Sequence, residues 1–252
     1  MRLWADKIVA VRTDRTIYRD GSTVIKLFDR DHSESEVLNE ALNQALGEEM
    51  GLHVPAVLEV IQLDGKWAIR STYVNGRTLQ QLLDDCPGES ESVLETLVAL
   101  QLEVQARRCP QLPDLREIVD RQIQAADLDD ALCEALCAEL CSFPVATNVC
   151  HGELEPSNVI IADDGTPYLV DWSAAARGHA AADAAQTCLS FVLRGDWVRM
   201  RAYRDLYCAK TDTDQQEVEK WLAIVAAARC AQCRKAERAV LLQLAGQNEY
   251  KI

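Results

Sequence analysis

The sequence predicts an α+β protein of two lobes, an N-terminal antiparallel β-sheet lobe with one helix followed by a mainly helical lobe. Three observations carry that prediction. Short apolar or β-branched runs separated by turns fill the first 75 residues. After Asn75-Gly76 the pattern changes to helical periodicity. One β-patterned interval, Asn148 to Trp172, interrupts the helices. The lobes are expected to divide as residues 1–75 and 76–252.

The elements follow in order. Lys7 to Arg12, Thr16 to Arg19 and Thr23 to Phe28 read as strands, the last two joined by a hairpin turn at Arg19-Asp20-Gly21-Ser22. Ser33 is a polar N-cap candidate for a helix whose apolar stripe, centred on Leu38 and Ala45, is expected to face the core. Pro55 closes that segment. Val57 to Gln62 and Lys66 to Thr72 are two further strands around Leu63-Asp64-Gly65. Helices are expected at Leu79 to Asp84, Val93 to Arg107, Leu115 to Ala126, Asp129 to Leu140, Ala181 to Leu193, and beyond Trp197. Within the β interval, Asn158 to Ala162 and Tyr168 to Val170 flank an Asp163-Asp164-Gly165 turn.

Composition narrows the function classes. A net charge of −14 speaks against a nucleic-acid partner, whose phosphates call for basic patches, and suits a cationic small molecule by steering. The N-terminal residues lack the apolar run of a signal peptide, and the longest apolar stretch, Trp221 to Ala228, is too short to span a bilayer. The expectation is a cytoplasmic protein without membrane contact. Its ten cysteines read as reduced thiols. Cys133, Cys137 and Cys141 stripe one helix face and are expected to pack as small hydrophobes, while the lone Cys230/Cys233 pair falls short of a zinc set.

The chemistry concentrates in His151-Gly152-Glu153-Leu154-Glu155-Pro156-Ser157-Asn158, with Asp171-Trp172 thirteen residues after the asparagine. Phosphoryl transfer needs a carboxylate near the acceptor hydroxyl and two oxygen ligands for a magnesium ion that bridges nucleotide phosphates. Glu153 and Asn158 lie five residues apart on a loop ending at a strand, and the next strand delivers Asp171 beside Asn158. A β-hairpin with incidental polar residues is the plainer alternative.

His151-Gly152 through Asn158, with Asp171-Trp172, resembles the H-G-D-x4-N and I-D-W signature of the aminoglycoside phosphotransferase-like kinases, a family with a two-lobed, protein-kinase-like fold. Val24-Ile25-Lys26-Leu27-Phe28 resembles the strand whose lysine grips the nucleotide phosphates. Gly51-Leu52-His53-Val54-Pro55 resembles the turn after the first long helix, and Tyr73-Val74-Asn75-Gly76-Arg77-Thr78-Leu79 resembles the hinge. Gly178 followed by Asp183 is similar to the start of a helix in the second lobe. Ala226-Ala227-Ala228-Arg229 is similar to a late helix of a bacterial branch.

The resemblance implies a magnesium-dependent enzyme that moves the γ-phosphate of ATP or GTP to a hydroxyl of a small molecule. Lys26 would hold the α- and β-phosphates and pair with a helix glutamate, Glu40 or, one turn earlier, Glu36. Backbone groups near Thr72 and Val74 would meet the base, Asn158 and Asp171 would hold the metal, and Glu153 would orient the acceptor. His151 would be a scaffold residue. The family's acceptors include aminoglycosides, choline, homoserine and sugars. Three positions depart from the pattern. Glu153 stands where the family has aspartate, the Thr13-Asp14-Arg15 loop has no glycine, and Glu155 adds a carboxylate beside Glu153. The first departure implies weakened turnover. It also leaves a second reading open, a pseudokinase-like protein that binds nucleotide or a partner with little turnover.

Overall fold

The computed structural model describes residues 7–11 and 15–246. Arg12, at the end of the first expected strand, and Thr13 and Asp14 of the glycine-free loop lie outside the described residues. In chain order the first elements are β1 (Lys7–Val11), β2 (Arg15–Asp20), β3 (Thr23–Phe28), α1 (Glu34–Glu49), β4 (Val57–Leu63), β5 (Lys66–Thr72) and β6 (Gly76–Thr78). There follow α2 (Leu79–Asp85), α3 (Ser90–Gln105), α4 (Leu115–Gln124), α5 (Asp130–Ser142), β7 (Asn148–Cys150), β8 (Val159–Ala162) and β9 (Pro167–Leu169). The last are β10 (Ala176–Gly178), α6 (Ala180–Leu193), α7 (Trp197–Thr211), α8 (Gln215–Arg229) and α9 (Arg238–Gly246).

By contact the chain groups into two units, Met1–Leu82 with Pro156–Ala174, and Leu83–Glu155 with Ala175–Ile252. The stretch from Pro156 to Ala174 thus groups with the sheet unit, where a single division at 75/76 placed it with the helices. The cause is backbone pairing, because β8 runs antiparallel to β6 and β9 antiparallel to β8.

The first unit is built on a five-stranded antiparallel sheet in the order β1-β2-β3-β5-β4. Side chains alternate between its faces. Phe28 and Ile69 point to one face and pack with Val37 and Ala41 of α1, while Ile25, Leu63 and Ala68 form a cluster on the other. Lys26 lies opposite Ile17 of β2 and Ile69 of β5, which puts it on the α1 face.

Ser33 caps α1 as expected, through a full capping box in which its hydroxyl accepts from Glu36 N and its amide donates to the Glu36 carboxylate. Of the apolar residues that give this helix its periodicity, Val37, Ala41 and Leu46 are buried, whereas Leu38 and Leu42 are 46% and 53% exposed, so the core-facing stripe is rotated from the expected centre. The buried face instead carries Val37, Glu40, Ala41, Asn43, Gln44, Leu46 and Gly47. Its polar members are buried because each finds a partner. Gln44 Nε2 donates to Pro55 O (2.6 Å) and Ser71 Oγ (3.0 Å), and Asn43 Nδ2 donates to Trp172 O (3.1 Å). Gly47 lets the Trp172 ring lie against the helix, where an added β-carbon would stand 3.1 Å from the ring.

In the second unit α8 is buried along Val218 and from Trp221 to Ala228, so it is apolar nearly all round and forms the unit's centre. α4, α6 and α9 pack on it. Gln101 and Gln105 of α3 accept from the buried Tyr203 and Tyr207 hydroxyls of α7, the latter at 3.0 Å. The cysteine stripe on α5 is not a packed core. Cys133 and Cys137 are half-buried, Cys141 is exposed, and all three are free thiols. Among the described residues, no helix is long and apolar enough to cross a membrane.

Candidate active site

Four charged side chains converge inside the first unit. Lys26 Nζ, from β3, donates to Glu40 Oε1 of α1 and to Asp171 Oδ1 at 2.8 Å. Arg15 Nη2, from the start of β2, donates to the other oxygen of the same carboxylate, Asp171 Oδ2, at 2.5 Å. All are largely withdrawn from water, with Glu40 4% exposed and Lys26, Asp171 and Arg15 at 13%, 15% and 17%. The Phe28 ring, 5.3 Å from Lys26 Nζ, adds a cation–π contact. Burial pushes the Glu40 carboxyl up from its ordinary value, and the Lys26 ammonium opposes it.

Glu36, the alternative partner for Lys26, is committed to Ser33, and those hydrogen bonds hold its carboxyl below the usual range. The geometry therefore pairs Lys26 with Glu40.

Asn158 ends a one-turn helix, Pro156–Asn158, and is buried. Its carbonyl accepts from Val170 N at 3.0 Å, which sets Asp171 next to it across the β8–β9 hairpin. Asp171 has a left-handed backbone (φ 70°). For a residue with a β-carbon that conformation is uncommon. The amide oxygen of Asn158 and the carboxylate of Asp171 are hard donors, the set that magnesium takes alongside nucleotide phosphates and water. These residues fit a magnesium ion. Arg15 and Lys26 hold the two oxygens of the Asp171 carboxylate, and a metal ion would have to displace at least one of them.

Thr72 and Val74 mark the end of β5 and the segment after it. The Thr72 amide donates to Ala56 O and its hydroxyl accepts from Ala56 N, each at 3.0 Å, and Val74 is half-buried.

Glu153 belongs to the second unit, on a loop held by α6. Asp183 Oδ1 accepts from Gly152 N at 2.7 Å, and Thr187 Oγ1 donates to Leu154 O at 2.8 Å. Burial pushes the Asp183 carboxyl up, against the Gly152 amide that favours its ionised form. His151 is buried, and its Nδ1 accepts from Glu153 N at 3.4 Å. The Glu153 carboxylate is 35% exposed and lies 3.9 Å from Arg229 Nη1 at the end of α8. Glu155 is paired at 2.9 Å with Arg194, which answers its charge.

The structure thus brings Lys26, Glu40, Asp171 and Asn158 together in one unit and sets Glu153 on a braced loop of the other. Arg15 and Arg229 were missed as partners of those residues. Strand register held a signal for Arg15, because it lies two residues before Ile17, which faces Lys26. For Arg229 the sequence held none.

Solved structures share the fold at low identity. Aminoglycoside phosphotransferase APH(4)-Ia, as a thermostable mutant in ternary complex with AMP-PNP and hygromycin B, is 14% identical over 97% of this chain and 92% of its own, with a TM-score of 0.70. The type VIII aminoglycoside-3'-phosphotransferase is 20% identical over 90% and 92%, with a TM-score of 0.66. APH(3'')-Id from Streptomyces rimosus ATCC10970, in complex with ADP and streptomycin, is 16% identical over 87% and 91%, with a TM-score of 0.60. No curated protein matches the chain. The model of the phosphotransferase enzyme family matches residues 8–221. With most of its length so matched and its fold protein-kinase-like, the chain belongs to the phosphotransferase enzyme family.

Proposed function

We propose that this phosphotransferase moves the γ-phosphoryl group of ATP or GTP to a hydroxyl of a small molecule. The observation that carries the reading is the Lys26–Glu40–Asp171 cluster beside Asn158. A lysine withdrawn from water between two carboxylates is a fixed positive point for phosphates, and Glu40 orients it. Because the Thr72 amide is engaged by Ala56, donation to a base from the backbone of that segment falls to Val74. Asn158 and Asp171 would hold magnesium, which when bound neutralises charge on the bridged phosphates. Glu153 would accept the acceptor's proton as its oxygen bonds to the γ-phosphorus and the bond to the nucleoside diphosphate breaks. The complexes of APH(4)-Ia and APH(3'')-Id with a nucleotide and a small molecule support both substrate classes. The acidic balance of the chain suits a cationic acceptor.

One observation favours a second reading, nucleotide binding with little turnover. Arg229 Nη1 stands 3.9 Å from the Glu153 carboxylate, so the group that would meet the acceptor already has an ion-pair partner.

Thermal denaturation with ATP or GTP and magnesium tests the core of the proposal. Either nucleotide at about a hundred times its Kd should stabilise the native state by about 2.7 kcal/mol. Asp171→Asn keeps a residue type that tolerates the left-handed backbone and should remove the magnesium-dependent part of the shift. No shift with either nucleotide at millimolar levels would overturn the reading. Phosphate transfer across a panel of hydroxyl acceptors, cationic and neutral, would then separate enzyme from binder.

A further inference from the structure

We propose that Arg15 is a second phosphate-binding cation of this site, gripping the terminal phosphates of the nucleotide alongside Lys26. The inference rests on the phosphotransferase reading above and adds a residue to it.

Three observations place Arg15 there. Its guanidinium and the Lys26 ammonium bond the two oxygens of one carboxylate, Asp171, so both cations border the same small space. Strand register sets Arg15 opposite Phe28 and Ile17 opposite Lys26, which aims Arg15 and Lys26 from the same sheet face. The side chain is anchored but 17% exposed, so an incoming anion can reach it.

Charge then decides what Arg15 does when substrate arrives. Lys26 and Arg15 now balance Glu40 and Asp171, two positive charges against two negative. Once Asp171 serves a divalent ion, a guanidinium on the same carboxylate faces like charge. Its nearest new counter-charge is the triphosphate. A planar guanidinium binds phosphate through two parallel N–H donors, which a lysine cannot do.

Isothermal titration of wild type, Arg15→Gln and Arg15→Lys with magnesium ATP, ADP and AMP tests this. Arg15→Gln should weaken ATP binding about tenfold, ~1.4 kcal/mol, while AMP changes less than about twofold. Arg15→Lys should recover part of the loss, because a point charge replaces the fork. Lys66→Gln removes the same charge from an exposed pair with Asp29 and should leave ATP affinity unchanged. If the amide variant fails to fold, Arg15→Met, which keeps the aliphatic stem, gives the same comparison. Unchanged ATP affinity in the uncharged variant, equal losses for ATP and AMP, or no recovery with lysine would each overturn the proposal. A wild type that binds no nucleotide would defeat the phosphotransferase reading itself, and that outcome is seen before any variant is made.

Discussion

Glu153 carries one methylene more than an aspartate would at that position, and its carboxylate lies 3.9 Å from Arg229 Nη1. The loop is braced by Asp183 and Thr187, so a shorter side chain should be presented from the same backbone position and farther from the guanidinium. Glu153→Asp is therefore expected to raise turnover or intrinsic nucleotide hydrolysis by about tenfold to a hundredfold, the scale on which small displacements act at a reacting centre. Glu153→Gln keeps the length and removes the charge, and should lower transfer by about a hundredfold or more while leaving the nucleotide-induced melting shift intact. Initial rates on one acceptor, with melting curves beside them, check both. Equal rates for all three side chains would make the binding reading the better one. How much of the site could be read from sequence divides along the same lines. Asn158 and Asp171 are singled out by their spacing, and Lys26 by the likeness of its strand to the family's. Glu40 is preferred over Glu36 for its distance from Pro55, while the capping box that commits Glu36 to Ser33 could be seen only in the structure. Arg15 could be placed on the Lys26 face by strand register, but its bond to Asp171 could be seen only in the structure.

At the scale of elements, the strands of the five-stranded sheet were legible from short apolar or β-branched runs bounded by turns, whereas β6 and β10, three residues each with glycine and arginine in them, carry no such run. Helix α1 misled for a different reason. Leu38 and Leu42 of its apolar pattern are exposed, and its buried face mixes Val37, Ala41 and Leu46 with polar side chains that partners from other segments satisfy. Short strands nonetheless carry weight. A β-carbon at Gly76 would run into the Ile161 carbonyl where β6 pairs with β8. Gly76→Ala should cost about 1–3 kcal/mol in urea unfolding, the range for overpacking a well-filled contact. A cost below about 0.5 kcal/mol would show that the strand edge shifts freely.

At the scale of the whole molecule, acid sensitivity has an identifiable source in the second unit. Burial holds the His179 imidazole below its ordinary value, Arg116 adds to the effect, and Glu217 at 3.5 Å opposes it. The unfolded chain therefore binds more protons than the folded one between that depressed value and about 6.5. Stability from this group is complete above about pH 6.5 and is lost as pH falls through the folded value. Urea midpoints measured from about pH 7.5 to 5 should fall for wild type, and His179→Gln should show a shallower fall. Parallel curves would remove His179 from the account. A last consequence follows from the division of the chain. The unit that holds Lys26 also needs Pro156–Ala174, including two of its strands, Asn158, Asp171 and the Trp172 ring that rests against Gly47. On a ribosome, synthesis through Leu82 delivers the five-stranded sheet and α1 but not the ring that covers that helix. Glu40 and Gln44 already have their partners by then, but Asn43, which donates to the Trp172 carbonyl, and Gly47, against which the Trp172 ring rests, must wait for about ninety more residues, several seconds of elongation at about 5–20 residues per second.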